Sequence, residues 1–189
     1  DQGVDASYGW GLVNISKAVK GPALFDKRLA LGDYVNVSFN NVTSSFDNNI
    51  AGDAGLIKDG SGTLLLNGTN TYTGNNIVRN GVLKINGTSV SGVAIESQGA
   101  LSGDGGYIGA DVVNNGGTLI NEGSGLTIQG DYIAASGSTI ESSTDSTLKI
   151  KGKAVLNDSN LIIKVPTDSN NNPLYISKNG IKNDIITAD

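Results

Sequence analysis

Seven carboxylates between positions 59 and 141 are the residues here best suited to chemistry: Asp59, Glu96, Asp104, Asp111, Glu122, Asp131 and Glu141. Two carboxyls facing each other across a sugar could hydrolyse a glycosidic bond. A cluster beside Lys or Arg could hold Ca²⁺ for polysaccharide cleavage. Their spacing is scattered, which reads as solvated surface charge that keeps the chain soluble. A Ser-His-Asp site cannot form, because the sequence contains no histidine. The absence of cysteine removes disulfides, thiol catalysis and thiolate metal sites together.

Two stretches have the flavour of calcium loops. Gly105-Gly106-Tyr107-Ile108-Gly109-Ala110-Asp111 is similar to the nonapeptide G-G-x-G-x-D, with one residue inserted and no repetition of the unit. Asp168-Ser169-Asn170-Asn171-Asn172 alternates as an EF-hand does, but Pro173 stands where glycine is needed and no glutamate closes the loop. Both read as turns. Tyr8, Trp10 and Phe25 near the start read as packing of a terminal helix on a neighbouring domain rather than as a ligand platform. The sequence therefore assigns no catalytic, cofactor-binding or metal-ligating residue, and no cofactor.

The elements that would position any site are short. Apolar runs of two to four residues recur every five to ten positions from Leu56 to Val165, among them Leu64–Leu66, Val82–Ile85, Leu119–Ile120, Leu126–Ile128 and Leu161–Ile163. Val, Ile and Leu dominate, and they suit strands. The 27 glycines are near twice the usual share and mark turns. Asn-Gly pairs at Asn67-Gly68, Asn80-Gly81, Asn86-Gly87 and Asn115-Gly116 would also suit antiparallel hairpins. The brevity of the runs, the lack of helix among them and a loose repeat near 20 residues favour stacked coils. The expected fold is all-β, a right-handed parallel β-helix (solenoid) with a short N-terminal helix. Over 56–165 a coil of about 20 residues gives roughly five coils, a stack about 25 Å tall.

Net charge is −5 and there are only two arginines, Arg28 and Arg79, so no basic face is present for nucleic acid. No segment approaches the roughly 18 apolar residues of a membrane helix. The chain opens Asp1-Gln2-Gly3-Val4 without a signal-peptide pattern and contains no methionine. It is expected to be an internal stretch of a longer precursor, with Asp189 a cut point.

Leu12, Ile15, Ala18 and Val19 share one face of a helix expected over about 11–20, capped by Asn14 or Gly11 and ended by Gly21-Pro22. Two resemblances organise the whole. Leu56-Ile57-Lys58-Asp59-Gly60-Ser61-Gly62-Thr63-Leu64-Leu65-Leu66-Asn67-Gly68-Thr69-Asn70-Thr71-Tyr72-Thr73-Gly74 resembles the repeat of bacterial autotransporter passengers, GLxKxGxGTLxLxGxNTYTG. Gly9 to Pro22 resembles the last helix of subtilisin-like protease domains. The resemblance implies four parts: 1–30 the C-terminal remnant of a subtilisin-like domain, 31–54 a junction, 55–165 the β-helix passenger repeats, and 166–189 the start of further coils.

It implies a structural stem for a secreted or surface-displayed autotransporter serine protease at the Gram-negative outer membrane. The partners would be the upstream protease domain and the downstream β-barrel translocator of the same precursor, with no nucleic acid. The catalytic triad of such a parent would lie upstream of Asp1, so this fragment is not itself an enzyme. The alternative is an adhesin whose flat faces and asparagine ladders bind host or bacterial surface ligands. A β-helix carbohydrate enzyme is the third reading. The first test follows from the missing histidine. The purified chain is expected to hydrolyse neither peptide nor ester substrates at any pH, and a rate abolished by a serine-protease inhibitor would refute this.

Overall fold

The computed structural model describes residues 15–165, 167, 169–170 and 186–188. Two one-turn helices and a short strand precede the stack: α1 (Ile15–Ala18), β1 (Leu24–Phe25) and α2 (Lys27–Ala30). Seven coils follow, stacking strands on three faces, here called A, B and C, except that the third strand of the first coil pairs with β1 instead of joining face C. The first coil is β2 (Tyr34–Ser38), β3 (Thr43–Phe46) and β4 (Ala51–Gly52). The second is β5 (Gly55–Asp59), β6 (Thr63–Leu66) and β7 (Thr69–Asn70).

In the third and fourth coils one long strand spans faces A and B: β8 (Asn76–Ile85) with β9 (Thr88–Ser89), then β10 (Val93–Gly103) with β11 (Tyr107–Ile108). The fifth is β12 (Val112–Asn115), β13 (Thr118–Asn121) and β14 (Thr127–Ile128). The sixth is β15 (Tyr132–Ala134), β16 (Thr139–Ser143) and β17 (Leu148–Ile150). The seventh is β18 (Ala154–Leu156), β19 (Asn160–Lys164) and β20 (Ile186–Ala188). All seventeen strand pairings in the described residues are parallel, which decides against hairpins. Among the described residues no helix is long and apolar enough to cross a membrane.

The Asn-Gly pairs sit at corners instead. Gly81 lies within β8 with φ +68, where a Cβ would stand 2.4 Å from the carbonyl oxygens of both Gly60 and Gly62 in the coil above. Only glycine lets the chain bend that close to its neighbour.

Side chains of like kind stack along the axis, because each residue pairs with the equivalent residue one coil away. On face B the inward column runs Leu64, Leu83, Leu101, Leu119, Ile140, Leu161. On face C it runs Asn70, Ser89, Ile108, Ile128, Ile150, Ala188. Leu126 and Ile128 point inward and Thr127 outward, as alternation along a strand requires. Leu65 lies in a leucine run but points outward between the buried Leu64 and Leu66.

The five coils expected over 56–165 are present, and the stack extends beyond them at both ends. Within residues 31–54, read as a junction, 34–54 form a coil whose strands β2 and β3 pair with β5 and β6. At the other end β20 completes face C of the seventh. Seven coils rise about 29 Å from first to last.

The N-terminal end is covered by residues 24–30. Phe25 is buried, β1 pairs with β4, and Ala30 packs on the core. Asp26 caps α2, accepting from the backbone N–H of Arg28 and Leu29. The helix expected over 11–20 is seen as α1. Residues 11–14, with both candidate caps, and Tyr8 and Trp10 lie outside the described residues. Gly21 takes φ +94 just past the helix, as a C-terminal glycine does. The expected apolar face is not covered by the described chain: Ile15 and Val19 are 73% and 77% exposed. What holds α1 is polar. The Asn48 amide donates to the carbonyls of Lys17 and Gly21 at 2.8 and 2.5 Å.

The columns set the cost of substitution. Leu83→Ala is expected to cost about 2–5 kcal/mol through lost transfer energy and a residual cavity. Thr127→Asp should stay within about 0.5 kcal/mol, whereas Ile128→Asp drives an unpaired charge between Ile108 and Ile150 and should unfold the stack. Urea midpoints by circular dichroism decide this, and equal midpoints for the two aspartate variants would contradict the column.

Candidate functional site

Polar side chains enter the core where the backbone ladder breaks at a corner. In the third and fourth coils the strand runs through the corner between faces A and B, and the inward residues there are Val78 and Ile95. In the second and fifth coils the strand stops, and the same column holds Lys58 and Asn114. A corner carbonyl or N–H that loses its ladder partner must find another.

Lys58 is fully buried. Its ammonium donates to the carbonyl oxygens of Asp59 (2.8 Å), Gly60 (2.7 Å) and Asn80 (3.2 Å) and lies 4.9 Å from the centre of the Phe39 ring. One side chain thus ties coil two to the coils on either side. Burial lowers its pKa, and the Asp59 charge opposes this. Asn114 does the equivalent work in the fifth coil. It accepts from Gly117 N–H at 2.8 Å and donates to the Tyr132 hydroxyl at 3.1 Å, while Ser138 donates to its carbonyl at 2.8 Å.

Two further internal groups close other corners. Asn121 accepts from Leu126 N–H at 3.1 Å and donates to Ser142 at 2.9 Å. Tyr72 donates to Asn76 at 2.5 Å, its carbonyl accepts from Ser91, and its ring packs 4.8 Å from Phe25. Burial pushes the Tyr72 phenol up, against hydrogen bonds to Ser89 and Asn76; it also pushes Tyr132 up to about 12, against the bond to Asn114. Among the described residues no buried side-chain polar atom lacks a partner.

Outside, the seven carboxylates are dispersed over corners and faces. Asp59 and Asp104 accept from backbone N–H groups of Gly60 and Ser124 at 2.7 Å each, which is turn chemistry. Glu96 faces Arg79 at 3.8 Å and Glu141 pairs with Lys164. Glu122 takes Lys84 from two coils away at 2.8 Å and Ser102 at 2.9 Å; the Lys84 bond holds its carboxyl below the usual range, against partial burial. Asp111 accepts from Asp131 N–H and Asp131 from Lys153 N–H, both at 2.8 Å, a ladder down one corner. Among the described residues, no three acidic side chains converge as a metal site would require.

Gly105, the start of the G-G-x-G-x-D-like stretch, is a corner with φ +74. Most of the EF-hand-like stretch from Asp168 to Asn172 lies outside the described residues. The buried clamps Lys58, Asn114 and Asn121 carry no role in the sequence reading, whereas Tyr72 belongs to the Asn-Thr-Tyr-Thr-Gly corner of the repeat, where a structural role is the expectation. The signal available was a lysine, asparagine or tyrosine at an inward phase next to Asn-Gly or Gly-x-Gly.

Residues 56–85 match the passenger-associated-transport-repeat, a stretch that holds Lys58, Asn70, Tyr72, Asn76 and Asn80. Over 156 residues, 82% of the chain, the sequence is 35% identical to the Neisserial autotransporter lipoprotein NalP of Neisseria meningitidis. This chain is an autotransporter passenger segment. The passenger is also 37% identical over 134 residues, 54% of its length, to an extracellular serine protease of Serratia marcescens. It is 34% identical over 89 residues, 44% of its length, to the adhesin BmaC autotransporter of Brucella suis. The match covers 13% of NalP, 13% of the Serratia protease and 3% of BmaC. In the passenger, the matched repeat begins at the inward Leu56 and ends at the inward Ile85, so it is about one and a half coils with its own corner clamp.

Two outcomes test the clamps. Lys58→Met removes the donor shared by three carbonyls and should cost about 1–3 kcal/mol, while Met at the exposed Lys149 should change stability by less than about 0.5 kcal/mol. Equal urea midpoints would show that the ammonium contributes nothing. The buried phenols set an alkaline limit. Their folded pKa values lie above the unfolded value near 10, so stability is intact below about pH 10 and falls as pH rises toward about 12. Tyr132→Phe should flatten that fall, measured as urea midpoint against pH; an unchanged slope would contradict it.

Proposed function

We propose that this passenger segment is the structural stem of an autotransporter serine protease, holding an upstream protease domain away from the outer membrane and aiding its export. The observation that carries this reading is the parallel stack itself. Every coil hydrogen-bonds to the next, and each added coil buries apolar surface, so stepwise folding outside the cell opposes backward movement. The similarity to an extracellular serine protease and to an autotransporter lipoprotein supports the same assignment. Residues 1–30 would then be the end of the protease domain, 55–165 the repeats, and 166–189 the start of further coils, with a downstream β-barrel translocator as partner. Catalysis would belong to the upstream domain and not to this segment.

A second reading, adhesion, is favoured by the similarity to BmaC and by the ladder Asp47–Asn67–Asn86 exposed along one corner. Deleting whole coils between residues 55 and 165 from the full precursor separates the two. The stem reading expects protease activity at the cell surface or in the medium to fall at least about tenfold, with the precursor retained in the periplasm. Undiminished secreted activity together with lost cell–cell or host-cell attachment would overturn it in favour of adhesion.

A further inference from the structure

The outward columns of the three faces differ in character. Face C presents Thr69, Thr88, Tyr107, Thr127, Lys149 and Thr187. One column of face B mixes Leu65, Lys84, Ser102, Ile120, Glu141 and Ile162. The central column of face A reads Ile57, Ile77, Ala94, Val113, Ile133, Val155, aliphatic over six consecutive coils. Ile57 at its head is nearly covered and Val155 at its foot is exposed. Midway, the small residues Gly92, Ala94 and Ala110 leave a dent of about 240 Å³ between Asn75, Asp111 and Val113. Asp111 stands exposed and Asp131 half-buried along the adjoining corner, whose next position down is the exposed Lys153, in a chain whose net charge is −5. An aliphatic strip rimmed by polar groups marks an interaction surface.

Size and geometry select the occupant. Six coils span about 24 Å, and a strip one column wide offers far less than the roughly 800 Å² per partner of a stable protein–protein interface, so a second copy is not its partner. The dent is smaller than the roughly 300 Å³ at which small-molecule pockets begin, but it suits one anchoring side chain. The edges of these strands are already paired along the stack, so an extended peptide could not add as a strand. A helix of about 16 residues matches the length, and its pitch near 5.4 Å lies close to the 4.8 Å column spacing. Asp111 on the rim of the dent, with Asp131 next to it, favours positive charge beside that part of the apolar row. The geometry points to face A as a docking strip for the aliphatic face of a cationic amphipathic helix. This surface is independent of whether the parent is a protease or an adhesin.

The test is a binding titration of the whole chain with a fluorescein-labelled Leu/Lys amphipathic peptide of about 18 residues. Controls are the same composition in scrambled order and a Leu/Glu counterpart. Saturable one-to-one binding of the Leu/Lys peptide alone is expected, weakening with salt. Val113→Gln and Ala94→Gln should each lower affinity at least about tenfold. Ile120→Gln on face B should leave it unchanged, and Asp111→Asn should reduce the salt dependence. Far-UV circular dichroism and urea midpoints qualify each variant as folded, and either of the two face A substitutions suffices. No binding, equal binding of the scrambled peptide, or equal loss in Ile120→Gln would overturn the proposal.

Discussion

Parallel in-register stacking is the constraint on which everything else depends. The backbone of each coil spends its hydrogen bonds on the coils above and below, so no coil is satisfied alone. A parallel register also places like on like. One leucine on face B obliges a leucine or isoleucine one coil away, and the column Leu64, Leu83, Leu101, Leu119, Ile140 is the result. The same rule transmits errors, since a charge in one column position meets only aliphatic neighbours.

A stack built from similar coils has a second problem, that of slipping by one coil. The buried polar groups answer it. Lys58 finds its third carbonyl only if Asn80 lies in the next coil, Asn121 meets Ser142 only in the native order, and Asn114 needs Tyr132. A slipped stack would leave these groups buried and unpaired, and each such loss costs more than the native bond contributes. Lys58 and Asn114 share a column but sit three coils apart with different partners, and Asn121 lies in another column, so no single slip could satisfy them all. Polar interiors of this kind trade some stability for a unique register.

The exterior is freed by this arrangement. Because the core and ladders are satisfied within the stack, outward columns can vary without unfolding it, and the three faces have diverged into threonine-rich, mixed and aliphatic surfaces. The stem proposed for this passenger would use the length of the stack. The docking strip proposed on face A and the asparagine ladder would use its sides, so display and recognition are compatible in one passenger.

The sequence by itself determined the class of fold and the exclusion of histidine- and cysteine-based catalysis. Short Val/Ile/Leu runs punctuated by glycine, with a period near 20, leave little but a solenoid, and the LxKxGxGTLxL pattern ties it to the passenger family. It did not determine phase. In Leu64-Leu65-Leu66 all three residues are equally apolar, and only the pairing with β3 and β8 turns Leu65 outward. Residues 34–54 are too polar in pattern to announce a coil, yet they form one because an exposed edge at β5 and β6 needs a partner. Lysine reads as surface in any sequence scan. Lys58 is buried because three carbonyls converge at a corner that exists only once coils two and three are stacked. Tertiary structure decided these matters because contacts between residues some 20 positions apart carry no local signature in the chain.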